Sequence, residues 1–440
     1  MGQDVGVRTF SREDRARYRE KVRRCLDVFA EMLRESRFDV ERPMTGLEIE
    51  LNLVDEDSMP AMRNADVLTA IADPSFQTEL GQFNVEINVT PRRLAGTGTA
   101  EFEEHVRASL NAAEAKAQDV GAHMVMIGIL PTLRPEHLTA AALSANPRYE
   151  LLNEQIFAAR GEDLRISISG VERLAVTADT ITPEAACTST QFHLQVSPAQ
   201  FADYWNAAQA IAGVQVALGA NSPLFFGREL WRETRIPLFQ QATDTRPEEI
   251  KAQGVRPRVW FGERWITTVF DLFEENVRYF PALLPVCDPE DPAEALARGD
   301  VPKLAELRLH NGTVYRWNRP VYDVLRAART CGWRTGCCPP ARRCSTRSPT
   351  APSTSGWSGP WPSRTGRCGR RCRSAPPRRT SPAAPGTAST PRCSGRAWDT
   401  CRSPNWCCAG CCRWPTTDWT VGAWTRPSGT DCSASSSTAA

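Results

Sequence analysis

At 440 residues the chain is long enough for one large domain or two to three average ones, and its net charge of +2 points to neither nucleic acid nor a membrane surface. No apolar run approaches the roughly 18 residues that a spanning helix needs. The N-terminus, Met1-Gly-Gln-Asp-Val, lacks the basic-then-apolar order of a secretory signal, so the expected location is the cytoplasm.

In chain order, Ser11-Arg-Glu-Asp supplies an N-cap and early acids for a helix whose apolar stripe is Tyr18, Val22, Leu26, Phe29 and Leu33. Pro43 then precedes Gly46-Leu-Glu-Ile-Glu-Leu-Asn-Leu-Val-Asp55. Here Leu47, Ile49, Leu51 and Leu53 alternate with Glu48, Glu50 and Asn52, the period of a half-buried strand. A second such strand, 83–90, sets Phe83, Val85, Ile87 and Val89 against Asn84, Glu86 and Asn88. Phe102, Val106 and Leu110 mark a helix, 123–130 reads as a buried strand, and 147–159 as a helix. A third alternating strand, 190–196, sets Phe192, Leu194 and Val196 against Gln191, His193 and Gln195. Pro198 opens a helix striped by Phe201, Trp205, Ala208, Ala212 and Val216, 266–280 is helical, and 288–300 is a loop with a short helix. A fourth strand is expected at 304–310, with Glu306, Arg308 and His310 opposite Ala305, Leu307 and Leu309. Strands and helices do not alternate regularly, which favours an α+β domain with an antiparallel sheet.

The chain changes character near residue 330. Residues 331–440 hold 13 of the 16 cysteines and 8 of the 13 tryptophans, yet contain no Leu, Ile, Phe, Met, Lys, Glu or His. Such a segment cannot build an ordinary core. A disulfide or zinc module is one reading of Cys337-Cys338, Cys407-Cys408 and Cys411-Cys412, but no histidine and no ligand spacing accompany them. A reading-frame slip within 326–331 of a GC-rich gene fits better. Written as codons and read one base earlier, Asn405-Trp-Cys-Cys-Ala-Gly-Cys-Cys-Arg-Trp-Pro415 permits Glu-Leu-Val-Leu-Arg-Arg-Leu-Leu-Pro-Met-Ala, an amphipathic helix. The expected organisation is therefore a ligand-binding domain over 1–330 and a disordered, aberrant tail over 331–440 without a packed core.

Four strands with carboxylate, amide or imidazole on one face would give a sheet one greasy side and one side rich in hard oxygen ligands. Glu48 and Glu50 are either a solvated pair or a metal pair. Glu86, His193 and Glu306 on the equivalent faces favour the metal, and carboxylates with one imidazole suit Mg²⁺ or Mn²⁺. Asn84, Asn88, Gln191 and Gln195 are hydrogen-bonding groups on that face or a solvated edge. Arg228, Arg232, Arg235, Arg308, Arg316 and Arg319 are surface residues or, beside Trp231, Pro237, Trp317 and Pro320, fixed guanidinium groups able to clamp phosphate or carboxylate. No Walker A or Gly-x-Gly-x-x-Gly sequence is present, so a nucleotide would be held by metal and arginine. Cys25, Cys187 and Cys287 read as structural.

Five segments, in order, resemble the carboxylate–amine ligases of the glutamate–cysteine ligase type 2 family. They are Thr45-Gly-Leu-Glu-Ile-Glu-Leu-Asn-Leu-Val-Asp55, Phe83-Asn-Val-Glu-Ile-Asn-Val-Thr-Pro91, Ser189-Thr-Gln-Phe-His-Leu-Gln-Val196, Gly219-Ala-Asn-Ser-Pro223 and His310-Asn-Gly-Thr-Val-Tyr-Arg-Trp-Asn-Arg-Pro320. The resemblance implies a glutamine-synthetase-like fold, a curved antiparallel sheet backed by helices around ATP and divalent metal. It implies Glu48, Glu50, Glu86, His193 and Glu306 as metal ligands. Arg235, Arg308 and Arg316 become the catalytic arginines, and Asn84, Asn88, Gln191 and Arg319 the nucleotide contacts. The implied reaction is phosphorylation of the glutamate γ-carboxylate by ATP and attack of an amine, cysteine foremost, on the acyl phosphate. Another acid or amine, and a non-catalytic family member, are the alternatives. Partners would be small molecules, with neither nucleic acid nor membrane, and a homo-oligomer is compatible with the family.

Overall fold

The hydrophobic alternation of the first strand sets the architecture. In the computed structural model, helix α1 (Arg12–Glu35) is followed by β1 (Thr45–Val54), α2 (Asn64–Ile71), β2 (Phe76–Thr78), β3 (Asn84–Arg92), α3 (Gly98–Asp119) and β4 (His123–Val125). Then come α4 (Pro147–Arg160), the hairpin β5 (Leu164–Ser169) and β6 (Arg173–Ala178), β7 (Thr190–Gln195), α5 (Phe201–Gly219), and β8 (Leu224–Phe225) with β9 (Arg228–Glu229). The remainder is α6 (Arg235–Ala242), α7 (Glu248–Ala252), α8 (Val269–Tyr279), α9 (Pro292–Ala297), α10 (Ala305–Asn311), β10 (Asn318–Leu325) and β11 (Ala328–Cys338). The structure describes residues 9–35, 38, 44–93, 98–325 and 328–338, with Leu325 and 328–338 as backbone only. All of them belong to the first of two units into which the chain divides, Met1–Pro362.

The central sheet runs β10-β11-β7-β1-β3-β2, with β4 also paired to β1, and every pairing is antiparallel. This is the α+β antiparallel architecture expected from the sequence. On one face Leu47, Ile49, Leu51, Leu53, Val85, Ile87 and Val89 pack against Val67 of α2 and Phe102, Leu110, Ala113 and Ala117 of α3. Burying each large aliphatic side chain there stabilises the fold by roughly 1.5–3 kcal/mol. A second core gathers α1, α8, α10 and β10 around Phe29, whose ring meets those of Phe38, Phe273 and Tyr322 with centroids at 6.4, 4.8 and 5.9 Å. Helix α1 starts where expected, since Ser11 Oγ accepts from Asp14 N at 3.0 Å and Asp14 Oδ2 accepts from Ser11 N at 3.0 Å. Among the described residues, no helix is long and apolar enough to cross a membrane.

Three expectations are corrected. Residues 304–310 are not a strand: Ala305–Asn311 is helix α10, packed against α1 and α8. It is buried on nearly every side, with only Arg308 partly open, so its surroundings impose no single-faced pattern and the alternation carried no information. The expected strand at 123–130 is a strand only at His123–Val125. The break expected at 330 falls inside β11, whose main chain pairs with β10 and β7 as far as Cys338. Main-chain ladders are indifferent to the loss of Leu and Ile, and Thr, Trp and Cys fit a pleated strand. The rest of the expected tail, 339–440, lies outside the described residues.

Phe29→Ala should lower stability by about 3–5 kcal/mol, as expected for emptying a fully buried aromatic site. A urea melt followed by circular dichroism checks it, and a shift under about 1 kcal/mol would show that this core does not hold α1 to the sheet.

Candidate active site

The second face of the sheet is the polar one. Register sets Glu48 between Gln191 of β7 and Asn88 of β3, Glu50 opposite Glu86, and Asn52 opposite Asn84. His193 lies opposite Gly46 and places Nε2 3.2 Å from Glu48 Oε1. Alternation thus gathers Glu48, Glu50, Asn84, Glu86, Asn88, Gln191 and His193 on one face.

Three carboxylates converge further. Single oxygens of Glu50, Glu79 and Glu86 lie within 4.8 Å of one another. Glu50 accepts from Gln191 Nε2 and from Ser189 N, both at 2.7 Å, and Glu86 Oε1 accepts from Asn88 Nδ2 at 2.6 Å. Glu79 accepts from the Leu80 amide at 2.8 Å. Burial and the neighbouring charges of Glu50 and Glu48 nevertheless push its carboxyl up to about 7. Glu184, on a short 3₁₀ turn, is pushed up to about 8 by burial and by the charges of Glu79 and Glu50. This clustering of negative charge is costly unless a proton or a cation joins it. Its donors are all carboxylate oxygens, which fits Mg²⁺ or Mn²⁺ and does not fit zinc.

The cluster opens into a cavity of about 430 Å³. Asn84 and Gln191 continue its floor, and Arg148 and Tyr149 of α4, Arg235 and Phe239 of α6, and Tyr315, Arg316, Trp317 and Arg319 line it. The guanidinium groups are fixed. Arg235 donates from Nε to Glu233 Oε1 at 2.7 Å and from Nη1 to Thr188 O at 3.0 Å. Arg316 pairs with Glu275 Oε2 at 3.0 Å, donates to Asn276 Oδ1 at 3.1 Å and lies over the Trp260 ring at 4.6 Å. Burial lowers its pKa to about 10, which leaves it charged at neutral pH. Arg319 Nη2 stands 3.5 Å from Gln191 Oε1.

Two expected site residues lie elsewhere. Glu306 is buried beneath α1, accepts from Asp288 N at 2.8 Å and pairs with Lys21 at 3.3 Å. Arg308 pairs with Asp323 at 2.7 Å and does not line the cavity. Both follow from the helix at 305–311, which removes them from the sheet. His310, expected on the same strand face, is buried with its pKa lowered to about 4 and Nε2 2.9 Å from Asn276 O. Conversely, Glu79, Glu184, Arg148 and Tyr149 went unread. Glu79 follows a strand of three residues, too short for a period, and its one signal is its place just before the turn into β3.

Residues 44–256 match the sequence profile of the glutamate-cysteine ligase family 2. No curated protein matches the chain. Among solved structures, the chain is similar to the glutamate–cysteine ligase of Francisella tularensis in complex with AMP at 11% identity and a TM-score of 0.37, covering 68% of this chain and 61% of that one. It is also similar to a bifunctional glutathione synthetase from Pasteurella multocida at 12% identity and a TM-score of 0.31, covering 71% of this chain and 37% of that one. The chain therefore spans less than two thirds of either structure's length. Glu48, Glu50, Glu79, Glu86, Glu184 and His193 all fall within the span that is similar to the glutamate–cysteine ligase family 2.

Proposed function

We propose that the chain is an ATP-dependent carboxylate–amine ligase that joins the γ-carboxylate of glutamate to an amine, cysteine being the amine the family favours. The observation that carries the reading is the set of three carboxylates within 4.8 Å at the floor of a cavity walled by arginines. Glu50, Glu79 and Glu86 would hold Mg²⁺ or Mn²⁺, with Glu48 and His193 beside them on the same face. When bound, the cation screens phosphate charge. Arg235 and Arg316, held by their carboxylate partners, need no rearrangement to meet a transferred phosphoryl group. Arg319 and Arg148 add positive charge at the same wall. Phe239, Tyr315 and Trp317, packed edge to face at 5.5 and 5.8 Å, offer an aromatic surface for a nucleotide base.

In this reading a glutamate carboxylate oxygen takes the γ-phosphoryl group and ADP leaves. The amine nitrogen then attacks the acyl carbon, phosphate departs, and the amine loses its proton. The walls position three anionic groups and exclude water from the acyl phosphate. We assign the ligase to residues 1–330, with the backbone of β11 continuing its sheet. One observation favours a second reading, a family member that binds nucleotide without turnover. Strand β11 pairs Arg334 with His193 and its sequence holds no acid, so of the two strands flanking the histidine β1 alone supplies a carboxylate.

Glu50→Gln and Glu79→Gln should each lower Mg²⁺-dependent ADP release in the presence of glutamate and cysteine by about 100-fold or more. Unchanged rates in both variants would remove the carboxylate cluster from the chemistry, and no ADP release by the unaltered chain alongside retained nucleotide binding would select the second reading.

The raised carboxyls have a signed consequence. A carboxyl held above its unfolded value of 4.5 binds its proton more tightly in the folded chain, so stability is lost as pH rises from about 4.5 through about 8. Thermal melts without divalent cation should fall across that window, and Glu184→Gln should flatten the slope. A melting temperature that rises between pH 5 and 8 in both proteins would contradict the burial of Glu184.

A further inference from the structure

The cavity carries four cations, Arg148, Arg235, Arg316 and Arg319, and among the described residues its lining holds four acids, Glu50, Glu79, Glu86 and Glu184. Three of the acids form the cluster suited to a metal ion, and Glu184 stands outside it. The turn Thr182–Ala186 brings it to the wall. Ile181 N donates to Asn153 Oδ1 of α4 at 2.9 Å, Cys187 N donates to Glu184 O at 2.9 Å, and the turn packs against α6. The main chain is thus pinned on both sides of Glu184. Its carboxyl is treated differently: Oε2 is buried and has no hydrogen-bond partner among the described residues. The fold has furnished donors for Glu50, Glu79 and Glu86. A buried acceptor left without one is costly, which marks Glu184 as a group whose partner arrives with the ligand.

We propose that Glu184 binds the α-ammonium group of the donor amino acid, and so selects an α-amino acid over a dicarboxylic acid that lacks the nitrogen. The inference rests on the ligase reading and adds the residue that recognises its donor. Glutamate brings two carboxylates and one ammonium into a cavity whose walls are mostly cationic. Its carboxylates have the arginines and the cation to meet. Its ammonium needs an acid, and Glu184 is the one left once the cluster holds its metal. Reach is adequate, because Glu79 and Glu50 act on Glu184 through space and the α-nitrogen of glutamate lies about 5 Å from its γ-carboxylate carbon. The acceptor amine fits less well. A carboxylate beside it would favour its ammonium form, which has no lone pair with which to attack the acyl phosphate. The donor nitrogen takes no part in the reaction and loses nothing by staying charged. Its arrival also reverses the effect of burial on Glu184, since a nearby opposite charge favours the ionised carboxylate.

Equilibrium dialysis of the full chain with Mg²⁺ and a non-hydrolysable ATP analogue tests this without relying on turnover. The probes are glutamate, glutarate, which lacks the ammonium, and 4-aminobutyrate, which keeps it and lacks the α-carboxylate, with cysteine measured alongside. The unaltered chain should bind glutamate roughly 30-fold or more tighter than glutarate. Glu184→Gln should cut that preference to about threefold or less, weakening glutamate and 4-aminobutyrate while glutarate stays within about twofold of its original affinity. Glu184→Asp keeps the charge and withdraws it by one methylene, so its preference should fall between the two, and it carries the test if the first variant does not fold. An equal loss for glutamate and glutarate would show a structural role and overturn the proposal. So would an unchanged glutamate preference with weakened cysteine binding, which would assign Glu184 to the acceptor amine. Both outcomes leave the ligase reading standing, whereas an unaltered chain that binds no glutamate would overturn the two together.

Discussion

The mutual repulsion of Glu50, Glu79 and Glu86 is the constraint around which the rest of the structure is arranged. Three carboxylates within 4.8 Å cannot all stay charged and unaccompanied in a half-buried site. The fold surrounds them with donors: the Ser189 amide and Gln191 on Glu50, Asn88 on Glu86, and the Leu80 amide on Glu79. These bonds offset part of the cost and orient the oxygens. Burial first, and then the charge of Glu50, raises the pKa of Glu79.

One face of β1 could be committed to this charge because the other is committed to burial. Leu47, Ile49, Leu51 and Leu53 hold the strand against α2 and α3, so a slip of one residue would turn every glutamate into the core. The register with β3 and β7 follows, and with it the alignment of Glu50 with Glu86 and the approach of His193 to Glu48. The arginines reach the same place by another route. Arg235 comes from α6 and Arg316 from the segment between α10 and β10, each fixed by its own buried partner, whereas Arg319 stands on β10 and reaches Gln191 of β7.

The edge of the sheet joins the site to the change in composition beyond residue 330. β11 lies between β10 and β7, so a strand with an unusual sequence is the immediate neighbour of the strand carrying His193. Its main-chain pairing is intact. What changes there is residue type, which a main-chain ladder does not register.

Local period made much of this legible in advance. Strands β1, β3 and β7 set an apolar core face against a polar face on the cavity side, so their alternation wrote both the core face and the carboxylate, amide and histidine face into the sequence. α1, α3 and α5 likewise showed their buried stripes. Where burial is all-round, as in α10, or where a strand has three residues, as in β2, no period survives, and Glu306 was misplaced while Glu79 was missed for that reason. Of the cavity's walls, Arg235, Arg316 and Arg319 stood out beside fixed Trp and Pro neighbours, whereas Arg148, Tyr149 and Glu184 carry no local signal and join them only through packing of distant segments. Sequence by itself determined which face of each long strand would carry charge. Tertiary structure alone decided which of those charges converge, because convergence depends on loop closure and helix packing between distant segments, and these leave no periodic trace.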